Sequence, residues 1–312
     1  MAVVSPMSPR TGAHLALFAV NLIYGANYAV AKGLMPGVIG PSGFILVRVL
    51  GAVGLFWLLR LLRPERVAWS DAPRLLLCAV FGVALNQLCF FHGLMRTSPL
   101  HASLIMVAAP ILVLVFAAVL IGERVTWGKA VGIALGATGA TVLLVRGAEG
   151  GDVGATLIGD GFILVNAASF ALYLVLVKPL MRTYTAVTVM AWSFALGTVM
   201  VLPFGWHEMA GVRWAALDGG TWGAIAFVVV GVTFVAYLLN TWALRVVDPG
   251  VVGTYIYLQP LMAVAFAWLY ALGGFAPSAI TAAPPAIRPV HGLCAALIFL
   301  GVHLVNRADR RT

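Results

Sequence analysis

Charge is scarce in this chain. Lys, Arg, Asp and Glu make up 9% of the 312 residues, hydrophobic residues 62%, and the mean hydropathy is +1.03. A soluble domain is nearer half apolar and a quarter charged, so this composition could not clothe a surface facing water. Carboxylates are scarcest, ten in all. Glu123, Asp152, Asp160, Glu208 and Asp248 fall at the ends of apolar runs or between them. With no carboxylate at mid-run, a dedicated carboxylate proton relay is not expected. Cysteine is nearly absent too. Cys78, Cys89 and Cys294 are odd in number, sit in apolar segments and match neither a disulfide framework nor a metal site. There is no HExxH, no pair of aspartates within an apolar run, no nucleophile beside a histidine and no P-loop. An enzyme, an ATP-driven pump and a bound cofactor or metal are therefore not expected. The net charge of +9 is not a nucleic-acid signal, because the cations form no basic stripe among aromatics and fall in short gaps between apolar runs.

What is abundant is apolar sequence in lengths that cross a bilayer, about 20 residues each. Ten such spans are predicted, at about 13–34, 42–62, 74–95, 100–121, 127–145, 157–178, 186–206, 221–244, 250–272 and 289–306. Ten spans put both termini on one side. Thirteen of the nineteen Lys and Arg then fall on that side and five on the other, with Arg48 inside a span. That bias predicts cytoplasmic termini in a cytoplasmic membrane. The first span is not read as a cleaved signal peptide, despite Arg10 ahead of it and Ala29-Val30-Ala31 within it. Its polar pattern recurs mid-chain, and a cleaved signal would not be duplicated.

The duplication runs through the chain. With an offset of 150, Leu94 falls on Leu244, Pro99 on Pro249, Pro110 on Pro260 and Leu112 on Met262. With an offset of 145, Asn21 falls on Asn166 and Tyr28 on Tyr173. The glycine-rich stretch from Gly147 to Gly154 is the natural boundary, giving repeats at 1–150 and 151–312. Five spans per repeat is odd, so the second repeat enters the membrane from the opposite face. The fold expected is an all-α membrane protein of ten transmembrane helices in two inverted five-helix repeats, the architecture that supports alternating access around a site between repeats.

These residues resemble the drug/metabolite transporter superfamily, in its EamA-type, ten-span branch. The resemblance covers nearly the whole chain and is strongest over 93–145, with its small-residue and Ser start to span four, Pro110, the Gly122-Glu123 pair and a glycine-lined fifth span. The second repeat departs from it. Leu272-Gly273 stands where Gly-Glu would recur, ahead of a proline-rich loop at 273–288. The resemblance implies a secondary transporter of small organic metabolites, with export of amino acids as the leading direction. A channel, or uptake of a sugar, amine or phosphorylated solute, is the alternative. Phosphorylated solutes would call for several cavity cations, and only Arg48 and Lys32 qualify.

Polar residues in hydrocarbon need a partner or a wet cavity. Asn21, Tyr24, Tyr28 and Lys32 are spaced 3, 4 and 4 apart along one face of span one, with Asn27 close by. Span six repeats the pattern with Asn166 and Tyr173. Asn86 and Gln87 are adjacent at the middle of span three, where two amides cannot both hide in one helix contact. Tyr237 and Asn240 lie in the equivalent region of span eight. Tyr255 and Gln259 are i, i+4 in span nine. With Arg48, which either snorkels or attracts an anionic group, these twelve residues (Lys32 and Asn27 aside) are the candidate binding residues for a neutral or zwitterionic solute. Interhelical hydrogen bonding is the competing role for each. Pro110 and Pro260 should kink spans four and nine, as hinges or as fixed bends. His92 could titrate near neutral pH or simply be packed. Gly128, Gly132, Gly136 and Ala140 form an i+4 stripe for close packing, within the bundle of a monomer or across a homodimer seam. Membrane lipid and a small-molecule substrate are the partners expected.

Overall fold

A computed structural model shows why these residues fold as they do. It describes residues 8–97, 102, 105–147, 157–259, 261–262, 265–266, 269 and 289–309, and among them there is no strand. Helix α1 runs Pro9–Leu34, α2 Pro41–Leu62, α3 Trp69–Leu94 and α4 Ala109–Ile121. Helix α5 follows at Trp127–Gly147, α6 at Leu157–Thr183, α7 at Ala186–Ala210 and α8 at Gly219–Ala243. Helix α9 is Pro249–Thr254, continued by a 3-10 turn at Tyr255–Leu258, and α10 is Pro289–Asp309. Among the described residues six helices are long and apolar enough to cross a membrane: α2, α3, α6, α7, α8 and Gly292–Asp309 of α10. The boundary stretch at 148–154, the loop at 273–288 and Pro260 lie outside the described residues.

The ends of the helices follow from local chemistry. Ser8 caps α1, its hydroxyl accepting from the Thr11 amide at 3.2 Å, with Pro9 in the first turn. Thr185 caps α7 and Asp218 caps α8 in the same way. Gly122 ends α4 at a φ of +68°, a backbone state that costs a side chain but not glycine. Large apolar side chains such as Leu61, Leu62, Val119 and Phe204 stand exposed on the outside of the bundle, the inverse of a soluble surface.

The two halves run in opposite senses. At one end, hereafter the terminal end, Lys129 pairs with Asp309 near the C-terminus, and Tyr184 donates to Asp71. At the other, distal end, Thr97 donates to Asp160 at the start of α6, and Glu208 accepts from the Gly43 amide. Helix α1 therefore starts at the terminal end and α6 at the distal end. The packing obeys the same symmetry: α2 lies on α7, α5 on α10, α4 on α9, α1 on α8 and α3 on α6.

The α5–α10 contact uses the small-residue stripe. A Cβ on Gly132 would come within 2.7 Å of the Gly301 carbonyl oxygen, and one on Gly128 within 2.9 Å of the Ala308 Cβ. The stripe is consumed inside the chain, so a homodimer would need another surface.

Both repeats break α geometry at matched places. Val80–Ala84 in α3 and Phe227–Val235 in α8 are π-turns, and the offset of 150 superposes the first on the second. Pro110 does not kink a continuous helix. It lies in the first turn of α4, after a break at Val107–Ala108, because a proline ring is tolerated where no amide is needed. The equivalent of that break is the 3-10 turn at Tyr255–Leu258.

Candidate functional site

Arg48 is the centre of the site. It projects from the distal half of α2 and is 4% exposed. Its Nε donates to the Thr233 hydroxyl on α8 at 3.0 Å. The guanidinium carbon lies 5.5 Å from the Phe44 ring centroid and 5.0 Å from that of Phe91. A cation desolvated against two aromatic rings gains about 2 kcal/mol from each such contact, far less than the cost of burying an isolated charge. The arginine has no carboxylate partner among the described residues, and instead it faces a cavity.

The cavity has a volume of about 110 Å³, small beside the roughly 300–1,000 Å³ of pockets for drug-sized ligands. Helix α1 contributes Tyr24 and Asn27 to it, α3 contributes Asn86, Gln87, Phe90 and Phe91, and α6 contributes Asn166 and Phe170. Val232 and Tyr237 come from α8, Met106 from ahead of α4, and Ile256 and Gln259 from α9 and its continuation. Gln87 and Tyr237 are repeat mates, and so are Met106 and Ile256. The cavity thus lies where the two repeats meet.

Its polar wall is incompletely satisfied. Both side-chain atoms of Gln87, 2% exposed, lack a hydrogen-bond partner. Asn166 spends its Nδ2 on the Asn86 carbonyl at 2.8 Å and leaves its Oδ1 free, as Asn27 does. Buried amide atoms without partners each cost about 1–3 kcal/mol. Orphans around one cavity mark places where a ligand or water completes the bonding.

The remaining polar wall is held to the π-turns. Such turns leave carbonyls free of their intrahelical partners. The Phe81 carbonyl accepts from Ser169 at 2.8 Å, and the Gly82 carbonyl from Tyr237 at 3.4 Å.

Of the residues singled out in the sequence, Tyr24, Arg48, Asn86, Gln87, Asn166, Tyr237 and Gln259 meet at this cavity, together with Asn27. Four others are placed elsewhere. Tyr173 is fully buried against Gly82, its hydroxyl 2.6 Å from that of Thr241. Asn21 turns back to donate to the Leu17 carbonyl of its own helix. Asn240 is buried away from the lining. Tyr255 sits at the terminal end, its hydroxyl 3.1 Å from His14 Nδ1 and accepting from Asn306. The 3-10 turn explains why Tyr255 and Gln259 diverge, since i, i+4 residues share a face only in an α-helix. The side chains of Tyr28 and Lys32 lie outside the described residues. His92 hydrogen-bonds Ser42 at 2.8 Å beside Arg96, off the cavity.

Sequence reasoning passed over Phe90, Phe91, Phe170, Met106, Val232, Ile256 and Thr233. The spacing held a signal for some of them. Phe90 and Phe91 are three and four residues after Gln87, and Phe170 is four after Asn166. Thr233 is the lone hydroxyl in the run FVVVGVTFV.

The EamA-like transporter family matches residues 11–145 and again 157–307. The chain belongs to that family. This EamA-like protein is a multi-pass membrane transporter with the family's two repeats. It is 29% identical over 241 residues to a "Probable terminal-alkyne amino-acid exporter" of Streptantibioticus cattleyicolor, covering 76% of this chain and 74% of that one. It is 25% identical over 243 residues to an uncharacterized transporter of Archaeoglobus fulgidus, covering 78% and 80%. A solved crystal structure at 20% identity covers 96% of this chain and 98% of its own, with a TM-score of 0.73, which shows the shared fold.

The Glu123 that follows the glycine of the EamA-like pattern takes part in a second polar constellation. At the terminal end, Lys129 is 1% exposed and lies 2.9 Å from Glu123, 3.4 Å from Asp248 and 3.7 Å from Asp309. Lys178 reaches Asp248 at 3.5 Å. Burial pushes the Glu123 carboxyl above the ordinary carboxylate range, only partly offset by the hydrogen bond and charge of Lys129. The cluster ties the first repeat to the second beneath the cavity.

Proposed function

We propose that this transporter exports small zwitterionic metabolites, amino acids with apolar side chains foremost, by alternating access across the cytoplasmic membrane. The observation that carries the reading is the pairing of one desolvated guanidinium with orphaned amide atoms around a single small cavity. Arg48 would take the carboxylate. The free oxygens of Gln87, Asn166 and Asn27 would accept from the ammonium, and Phe90, Phe170, Met106 and Ile256 would surround the side chain. Amide oxygens suit an ammonium without the desolvation cost of a buried carboxylate. The cation count argues against phosphorylated solutes, because Arg48 is the one cation among the described lining residues. Export is favoured by the resemblance to a relative described as an amino-acid exporter. The charge bias of the loops supports a cytoplasmic terminal end, and the repeats, divided near residue 150, would rock about the breaks at Val107–Ala108 and Tyr255–Leu258.

Counterflow into proteoliposomes, preloaded in turn with amino acids, amines, sugars and organic acids, tests this. Saturable counterflow confined to amino acids, weakened by replacing Arg48 with Gln, is the expected result. Counterflow of a sugar or phosphorylated solute instead would replace the substrate, and conductive flux without saturation would replace the carrier with a channel.

A further inference from the structure

We propose that Thr233, presented by the π-turn of α8, is the positioning residue that aims the Arg48 guanidinium into the cavity and fixes which of its edges meets a substrate carboxylate. This rests on the reading of Arg48 as the carboxylate anchor.

The geometry begins with the hydroxyl. Thr233 Oγ1 donates to the Val228 carbonyl at 2.8 Å, five residues back. In an α-helix a threonine hydroxyl reaches the carbonyl three or four residues back. The fifth comes within range because α8 is wound as a π-turn there. With its proton committed to Val228, the hydroxyl can meet Arg48 only as an acceptor, and it accepts from Nε at 3.0 Å. Nε–H, hydroxyl and carbonyl form one chain of dipoles pointing the same way, which strengthens each bond. The branched Cβ restricts the rotamer, so the acceptor is held in place.

The consequence lies in the guanidinium fork. A guanidinium grips a carboxylate in a bidentate manner either through its two Nη groups or along the Nε side. Thr233 occupies Nε, and the rings of Phe44 and Phe91, set edge to face 5.3 Å apart, lie together on one side of the guanidinium. The Nη groups have no protein acceptor among the described residues. The edge left for a ligand is the end-on Nη pair. Thr233 belongs to the second repeat and Arg48 to the first, so the aim of the cation depends on the repeats staying in register at this point.

The test uses full-length protein in proteoliposomes, with labelled L-leucine as substrate and L-leucinamide, which lacks the carboxylate, as competitor. The wild type should prefer leucine, and Arg48→Gln should abolish the preference. Thr233→Val, which keeps the shape and removes the hydroxyl, should raise the KM for leucine and reduce the preference about tenfold while leaving Vmax within about twofold. Thr233→Ser should restore it. In the Arg48→Gln background Thr233→Val should add nothing, since a residue acting through another is silent without it. A full preference in Thr233→Val, with Arg48→Gln deficient, overturns the inference and leaves the substrate reading intact. A preference that survives Arg48→Gln overturns the substrate reading instead. A ligand-free measurement decides the positioning role independently of any transport. With 15N-labelled arginine in detergent, the Arg48 Nε–H should exchange slowly in wild type and Thr233→Ser, and rapidly in Thr233→Val or Thr233→Ala. Unchanged protection in either of the last two sinks the proposal.

Discussion

On the proposed reading, Gln87 trades stability for function at a single residue. Its amide is buried with neither end bonded, which costs the fold about 1–3 kcal/mol for each end. Gln87→Leu removes that cost without emptying the space. The expected outcome is an unchanged or higher unfolding temperature in detergent, with a KM for substrate raised about tenfold or more. A drop in both would mean that the amide has a structural role after all. The adjacency of Asn86 and Gln87 in an apolar run made a wet cavity legible in the sequence. The roles of Tyr173 and Tyr255 were not legible, because a tyrosine reads the same whether its hydroxyl meets a solute or, as here, Thr241 or His14.

Among the elements, the α5–α10 seam and the α2–α3 connection make separate predictions. The Gly132 Cα faces the Gly301 carbonyl too closely for a side chain. Gly132→Val should force the helices apart and lower stability by about 1–3 kcal/mol, read from thermal unfolding, whereas Gly54→Ala, which meets nothing, should be near neutral. Between α2 and α3, Glu65 accepts from both the amide and the hydroxyl of Thr185, the cap of α7. Partial burial raises its carboxyl, but hydrogen bonds from Thr188 and Thr185 outweigh that and hold it below the ordinary glutamate range. A depressed carboxylate stabilises the fold above its unfolded value, about 4.3, and the contribution is lost as pH falls through the folded one. Wild type should therefore be more stable than Glu65→Gln at pH 7, and the gap should narrow in thermal unfolding as the pH falls below the unfolded value. The glycine stripe and the helix ends could be read from residue spacing. The π-turns could not, since FVVVGVTFV is as good an α-helix by pattern; in the fold that segment packs against α1 and α2.

At the scale of the molecule, buried Lys129, Glu123 and Asp309, with the half-buried Asp248 and Lys178, clasp the repeats at one end. Removing one partner of a buried ion network strands the others, which costs about 3–5 kcal/mol. Lys129→Ala should show that loss in thermal unfolding, and Lys129→Arg much less of it. The sequence does not repeat the Gly-Glu pair: Leu272-Gly273, outside the described residues, stands at the matching point of the second repeat.

The sequence alone determined the class of the molecule. Apolar run length, loop charge and the internal repeat act locally or by simple counting, and they yield a helical membrane protein of two inverted halves because the bilayer leaves few other solutions. Only the tertiary structure decided which polar residues share a space. Arg48 meets Thr233 across 185 positions of chain, and Gln87 lines one wall with Tyr237 across 150. Helix rotation, π-turns and close glycine contacts set those meetings, and they depend on how all the helices pack at once.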